Sequence, residues 1–375
     1  MNSLLGKVFP ILVVVLWFAH SVPEKVRATG QGIPLPIHSS PEASGLSKTK
    51  LAEFTDYLKE NSDTTGMIIL FEGKVIYEYG NCSEVSYIAS CRKSVLSILY
   101  GKHVHEGKID LNETLGHLGV DEDDGLLPVE KLATVDHLIT SRSGVFHLPS
   151  NDGYDEKNIL ERGSVQPGTY FVYNNWDFNV AGHVLELKTG NSIYQEFDEQ
   201  LAVPLGFEDW DVQKQKKSGD LRKSRYPAYH IYISTRDMAK IGQLMLNEGM
   251  WNGQQIVPKA WVQKTTKPVV TAEVVNQREG LNAASPVQLS YGYMWWIFEN
   301  LYGLSDFNGA YTASGAGGQF ITVIPKRKLV VAHKTKLSLL SQIGIVKKGV
   351  TRPQYWDLLN RLFKSDALRS GDSSG

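Results

Sequence analysis

The stretch YIASCRKSVLSIL, residues 87–99, places Ser90 and Lys93 one helical turn apart where an apolar run begins. A spacing of three puts both side chains on one helix face. A serine hydroxyl is a weak nucleophile at neutral pH and needs a neighbouring base or cation. At a helix start its oxygen also meets unpaired backbone N–H groups and the positive end of the helix dipole, which favour developing negative charge. A lysine among apolar neighbours loses solvation and gives up its proton more easily. Ser90-Cys91-Arg92-Lys93 therefore has two readings, a nucleophile with its activating amine or a capped helix carrying a solvated lysine. Ser47-Lys48-Thr49-Lys50 repeats the Ser-x-x-Lys pattern in a polar stretch with no apolar run behind it, so context selects Ser90.

Two further segments bear on the choice. YFVYNNWDFNVAGHVLE, residues 170–186, sets Tyr173-Asn174-Asn175 just ahead of an amphipathic helix. Beside Lys93 the phenol of Tyr173 would have its pKa lowered by the ammonium and could serve as general base. The alternative is a core tyrosine followed by helix-capping asparagines, and Tyr79-Gly80-Asn81 repeats the pattern in a hairpin. YTASGAGGQFITVIP, residues 311–325, is a glycine-rich entry into a strand. Such an entry brings backbone N–H groups close to a ligand, as an oxyanion donor must be, or it is a tight turn or bulge.

The rest of the chain supplies the frame. At 375 residues with net charge −1 it can bury a sizeable core and offers no basic field for phosphates, so no nucleic acid partner is expected. Lys7, the apolar run Val8–Ala19 and small residues at Ala19 and Ser21 read as an export signal cleaved after Ser21 or Ala28, or as an uncleaved N-terminal anchor. Residues 1–28 are assigned to that segment, with the folded part exported and either periplasmic or tethered to the membrane facing the periplasm. Residues 29–46, rich in Gly, Pro and Ser, read as a surface linker, and residues 366–375 as a polar tail. Cys82 and Cys91 are the two cysteines; they pair, or remain buried free thiols.

Between linker and tail, residues 47–365 form one domain. Helical spacing marks KLAEFTDYLKEN, residues 89–105, TVDHLITSRSG, the segment after Tyr173 and STRDMAKIGQLMLNEG; a hairpin is read around Glu72-Gly73. LSYGYMWWIF, QFITVIP and KLVVAHK read as late strands, and QYWDLLNRLF as a last helix. Strands at both ends with helices between predict an α+β fold, an antiparallel sheet flanked by helices with a helical lobe inserted over roughly residues 105–285. The acidic VDEDDG, residues 120–125, reads as a solvated loop. His103 and His105 point apart on a helix and no H-E-x-x-H occurs, so no metal site is expected; no G-x-S-x-G elbow is present.

Ser-x-x-Lys, then Tyr-x-Asn, then a glycine-containing strand, in that order, resembles the penicillin-recognising serine hydrolase superfamily, in particular its class C β-lactamase branch. GKIDLNETL, TVDHLITSRSG, STRDMAKIGQLMLNEGMWNGQQIV and YGYMWW look like recurrent segments of that branch, and the likeness spans roughly residues 50–362. Within it, ASGAGGQF followed by VIP looks most like the 6-aminohexanoate-dimer hydrolases and related esterases. The resemblance implies a β-lactamase/transpeptidase-like fold and no cofactor. It also implies Ser90 as acylated nucleophile, Lys93 as acceptor or stabiliser of its proton, Tyr173 as general base and acid, and Asn175 as the group orienting lysine or substrate. Ala313-Ser314-Gly315 fall on the third motif, with Ser314 and Gly315 supporting and the N–H groups of Ser90 and Ala316 as oxyanion donors. The first position of that motif normally carries Lys or His, and Ala313 departs from it. The departure puts β-lactam hydrolysis in doubt and leaves small-molecule esters or linear amides as expected substrates. Tyr170, Trp176, Tyr291, Trp295 and Trp296 are expected to line an apolar acyl pocket. The alternatives are a penicillin-binding D-alanyl peptidase or esterase and a non-catalytic binding protein that retains the fold.

Overall fold

GMIILF and KVIYEYG form β1 (Gly66–Phe71) and β2 (Lys74–Gly80). Glu72 and Gly73 between them take φ of 49° and 81°, the type I′ turn whose twist matches that of the strands it joins. These strands form one edge of a seven-stranded antiparallel sheet in a computed structural model that describes residues 32–282, 284–337 and 349–364. The other strands come from the far end of the chain: β3 (Val287–Tyr291), β4 (Trp296–Leu301), β5 (Tyr311–Gly315), β6 (Gln319–Ile324) and β7 (Leu329–Lys334). The order is β2-β1-β7-β6-β5-β4-β3, so β1 and β7 join the two ends, with Gly66 opposite Lys334.

Both faces of the sheet are covered, which explains why β6 and β7 are buried along their whole length instead of alternating buried and exposed residues. Met67, Ile69, Phe320 and Val331 face α1 (Lys48–Asn61) and the last helix, α6 (Arg352–Phe363). Ile68, Leu70, Ile321 and Val330 belong to the cluster that holds α2 (Cys91–His105), α3 (Asn175–Thr189) and α4 (Thr235–Leu246). A shorter helix, α5 (Ala272–Glu279), packs on β3. No helix among the described residues is long and apolar enough to cross a membrane.

Several local expectations need correction. LSYGYMWWIF is two strands: Met294 takes φ 63° and Gly292 N–H bonds Trp295 O, turning the chain inside an aromatic run with a single glycine to announce it. TVDHLITSRSG keeps its Thr134 capping box but is helical only over Val135–Ile139, because Ser141 enters the left-handed region at φ 57°. Residues 105–285 are less uniformly helical than expected. Lys216–Ser218 pairs with Ala228–His230, Met250–Trp251 with Gln254–Gln255, and α4 lies on the sheet against β1, β6 and β7. The acidic loop is anchored, since buried Glu122 accepts hydrogen bonds from Trp176 Nε1, Ser224 Oγ and Arg225 N. Part of the expected linker is stitched to β2 by His38 N–H to Val75 O and Val75 N–H to Pro36 O. Cys82 and Cys91 are both free and buried. The export or anchor segment and the polar tail lie outside the described residues.

Candidate active site

Ser90 is the N-cap of α2, and its side chain makes no capping bond. By contrast Ser47 Oγ is occupied in accepting from Lys50 N–H at the start of α1. Ala89, just before Ser90, is left-handed with φ 47°, a conformation that costs an L-residue on the order of 1–2 kcal/mol. That turn delivers Ser90 to the helix mouth with its hydroxyl free for another partner.

The partner is Lys93. Its Nζ lies 3.3 Å from Ser90 Oγ and 2.7 Å from the Tyr173 hydroxyl, above the rings of Tyr173 and Phe178 at 4.0 and 4.3 Å from their centroids. The side chain is 1 % exposed. Burial first, then the positive charges of Arg92 and Arg352, push the amine well below the ordinary lysine range. Burial also raises the phenol of Tyr173, opposed in part by its hydrogen bond to Ser90 and by Arg352 and Arg92. This reverses the expected direction for the tyrosine. Burial thus disfavours both charged forms, the ammonium of Lys93 and the phenolate of Tyr173.

The third motif sits at the end of β5. Strand β4 pairs with β5 only at Tyr311 and Thr312, so Ala313–Gly315 have no strand partner on that edge among the described residues. A Cβ on Gly315 would lie 2.6 Å from Ile88 O and 3.1 Å from Ser90 N, so only glycine lets β5 approach the nucleophile turn this closely. Among the described residues neither the Ser90 nor the Ala316 amide has a hydrogen-bond partner. Ala313 is fully buried in the apolar cluster that includes α2. Strand alternation puts Ser314 on the opposite face, that of Thr312.

Asn175 is placed differently from expectation. Its Nδ2 donates to Asp152 O, its backbone N–H to Gly153 O, and its Oδ1 is buried without a partner among the described residues. It pins the 152–153 loop, while Asn174 caps α3 by accepting from Trp176 N–H. Of the expected pocket aromatics, Tyr291 and Trp296 pack on Tyr173, with centroids 6.2 and 5.5 Å away. Trp176 and Trp295 are core residues with no exposed surface. Tyr170 packs edge-on to Phe146, and the Arg278 guanidinium lies 4.3 Å from its ring centroid.

Two charged residues were missed from sequence. Arg352 begins α6, stacks 4.5 Å over Trp296 and pairs with Glu279 at 2.7 Å. Nothing in its surroundings distinguishes it in sequence, because only the return of the last helix brings it here. Arg92 lies inside the motif itself, between Ser90 and Lys93, where the Ser-x-x-Lys spacing gives it no role.

Sheet order, the nucleophile-bearing helix against it and the Ser-Lys-Tyr triangle define the β-lactamase/transpeptidase-like class. The chain belongs to the Beta-lactamase family, whose model matches residues 73–337. In fold it is similar to a 6-aminohexanoate-dimer hydrolase homologue from Bacillus anthracis, with 21 % identity, 82 % of this chain and 81 % of that one covered, and TM-score 0.58. It is also similar to simvastatin synthase from Aspergillus terreus, with 16 % identity, 90 % and 100 % covered, and TM-score 0.62. An uncharacterized protein of Alkalihalophilus pseudofirmus is 22 % identical over 267 residues, 66 % of this chain and 72 % of its own.

Proposed function

We propose that the protein hydrolyses small-molecule carboxylic esters or linear amides through an acyl-enzyme on Ser90. The observation that carries this reading is the buried Lys93 amine lying within reach of both Ser90 Oγ and the Tyr173 hydroxyl. The neutral amine accepts the Ser90 proton as Oγ attacks the carbonyl carbon. The oxyanion accepts hydrogen bonds from the Ser90 and Ala316 N–H groups, both without another partner among the described residues. The Tyr173 hydroxyl, bonded to Lys93, then passes the proton to the leaving alkoxide or amine. Water entering the vacated place gives its proton to the same pair as it attacks the acyl carbon; the acyl–Oγ bond breaks, Lys93 returns the proton to Ser90 Oγ, and the acid is released. A base made of Lys93 with Tyr173 as relay replaces the tyrosinate base expected from sequence, since burial disfavours a phenolate.

Ala313 supports substrates without a carboxylate to be held, because its methyl supplies neither charge nor hydrogen bond. β-Lactams are then poor substrates and short-chain aryl esters good ones. Export remains part of this proposal and is tested by N-terminal sequencing of the mature protein from its native host. The decisive experiment is intact-mass analysis after a serine-directed phosphonate, followed by peptide mapping. One adduct on Ser90, absent from Ser90→Ala, is expected. A folded protein that stays unlabelled would favour a binding protein that retains the fold.

A further inference from the structure

Arg92 is 1 % exposed, yet among the described residues no carboxylate lies within ion-pair distance of it. Its Nη2 donates to Asn179 Oδ1 at 3.1 Å, its guanidinium lies 4.2 Å over the Tyr229 ring, and Nη1 is buried without a partner. Neighbouring polar groups do not neutralise it: Tyr87, Tyr194 and Tyr229 are all held as phenols by burial, and His230 is pushed down to about 4 by burial and by Arg92 itself. An arginine cannot shed its proton to escape burial, so a fixed positive charge stands beside the Ser-Lys pair. Stability alone gives no reason for such a residue, since an apolar side chain of similar volume would remove the desolvation cost.

We propose that Arg92 is a positioning residue for the Ser90–Lys93 pair, a buried guanidinium that has no carboxylate partner among the described residues, sets the electrostatic surroundings of the adjacent amine and ties α2 to the helix following Tyr173. The inference rests on the acyl-enzyme reading above. The tie is the bond to Asn179, which lies on α3 six residues after Tyr173. The electrostatic part follows from the inventory around Lys93. On its own helix stand Ser90, Cys91 and Arg92; Tyr173 bonds it from the loop before α3; Arg352 acts on it from α6. The carboxyls of neighbouring elements are otherwise engaged, Glu279 of α5 with Arg352 and Asp177 of α3 with Ser143, where burial favours its acid form. Lys334, at the end of β7, adds no negative charge; burial lowers it to about 7. Of the charged or ionisable groups acting on Lys93, Arg92 and Arg352 push it toward the free base, and the opposing Cys91 thiol is one whose ionisation burial resists.

The test is the pH dependence of Ser90 phosphonylation, measured by intact mass, in wild type, Arg92→Gln and Arg92→Lys. Glutamine removes the charge and retains a donor for Asn179; lysine, which unlike arginine can shed its proton when buried, removes the fixed charge while keeping a long side chain. Loss of the cation lets Lys93 hold its proton to higher pH, so the acid limb of the Arg92→Gln profile moves upward. A drop of about tenfold in labelling rate is expected at a pH on the wild-type limb, with less than about threefold change on the alkaline plateau. Arg92→Lys should move the limb in the same direction, because its buried amine can give up the charge that arginine holds. A limb for folded Arg92→Gln that coincides with wild type, or a loss equal at every pH, would overturn the proposal. If Arg92→Gln does not fold, heteronuclear titration of the Lys93 Nζ in wild type and Arg92→Lys decides: protonation in the ordinary lysine range in wild type sinks the idea. Failure of wild type to label at Ser90 at any pH would instead refute the acyl-enzyme reading.

Discussion

At the scale of single residues, the chemistry depends on where two protons reside. Tyr173→Phe keeps the ring that packs on Trp296 and removes only the hydroxyl 2.7 Å from Lys93 Nζ. A loss on the order of 10²–10⁴ in kcat is expected, with little change in thermal unfolding; unchanged turnover would reduce Tyr173 to a packing residue. The pH dependence has a definite sign. Lys93 acts as a base only when deprotonated, and its folded pKa lies below the ordinary lysine value. Ester kcat/KM should therefore rise with pH and reach its plateau below the ordinary lysine range. A profile still rising through that range would mean that the amine is charged at rest.

The element that matters most is β5, which meets the turn before α2 with only a glycine between them. Gly315→Ala places a methyl group 2.6 Å from Ile88 O and 3.1 Å from Ser90 N. The turn must shift, and with it the donor that stabilises the oxyanion, so a fall of about 10²–10³ in kcat is expected. The accompanying overpacking should cost about 1–3 kcal/mol, read from the urea midpoint. Activity near wild type would show that these amides do not meet the carbonyl oxygen. The expectations for α1, α2, α3 and the last helix could be read from periodicity, and the caps observed at Ser47, Asn174 and Thr351 follow local rules. The β3–β4 turn was not legible: Met294 adopts a left-handed conformation within a fully buried aromatic run, where contacts outweigh local preference.

For the whole molecule, stability rests on a sheet that buries both faces and joins early and late segments of the chain at the β1–β7 pair. His333 on β7 illustrates the consequence. It is fully enclosed, bonded to Thr64 and to Gly318 O, and lowered by burial to about 4. Its folded pKa lies below its unfolded value near 6.5, so the unfolded state binds the proton first as pH falls. The stability it contributes is complete above about pH 6.5 and is lost toward pH 4, about 3 kcal/mol in all. Urea unfolding at a series of pH values should show that slope in wild type and a shallower one in His333→Gln. Equal slopes would place the acid sensitivity elsewhere. Tyr355, stacked on Phe320 at 3.9 Å with its hydroxyl 2.8 Å from Thr322, holds α6 to β6. Its truncation in Tyr355→Ala is expected to cost about 3–5 kcal/mol in unfolding free energy.

By itself the sequence determined what depends on neighbours along the chain. Ser90 and Lys93 share a helix face, Tyr173 precedes an amphipathic helix, the β1–β2 turn carries Glu72-Gly73, and the family is legible in the order of three motifs. Tertiary structure decided what depends on enclosure and on contacts between distant segments. It buried Lys93 and packed the partly enclosed Tyr173 against it, reversing the expected shift of the phenol, and turned Asn175 to a loop carbonyl instead of the lysine. It placed Ala313 inside the core and carried Arg352 from the last helix to the stack on Trp296. Desolvation and long-range charge have no signature in local spacing. They follow from which side chains exclude water from which, and that is settled only when β1 pairs with β7 and α2 packs on one face of the sheet.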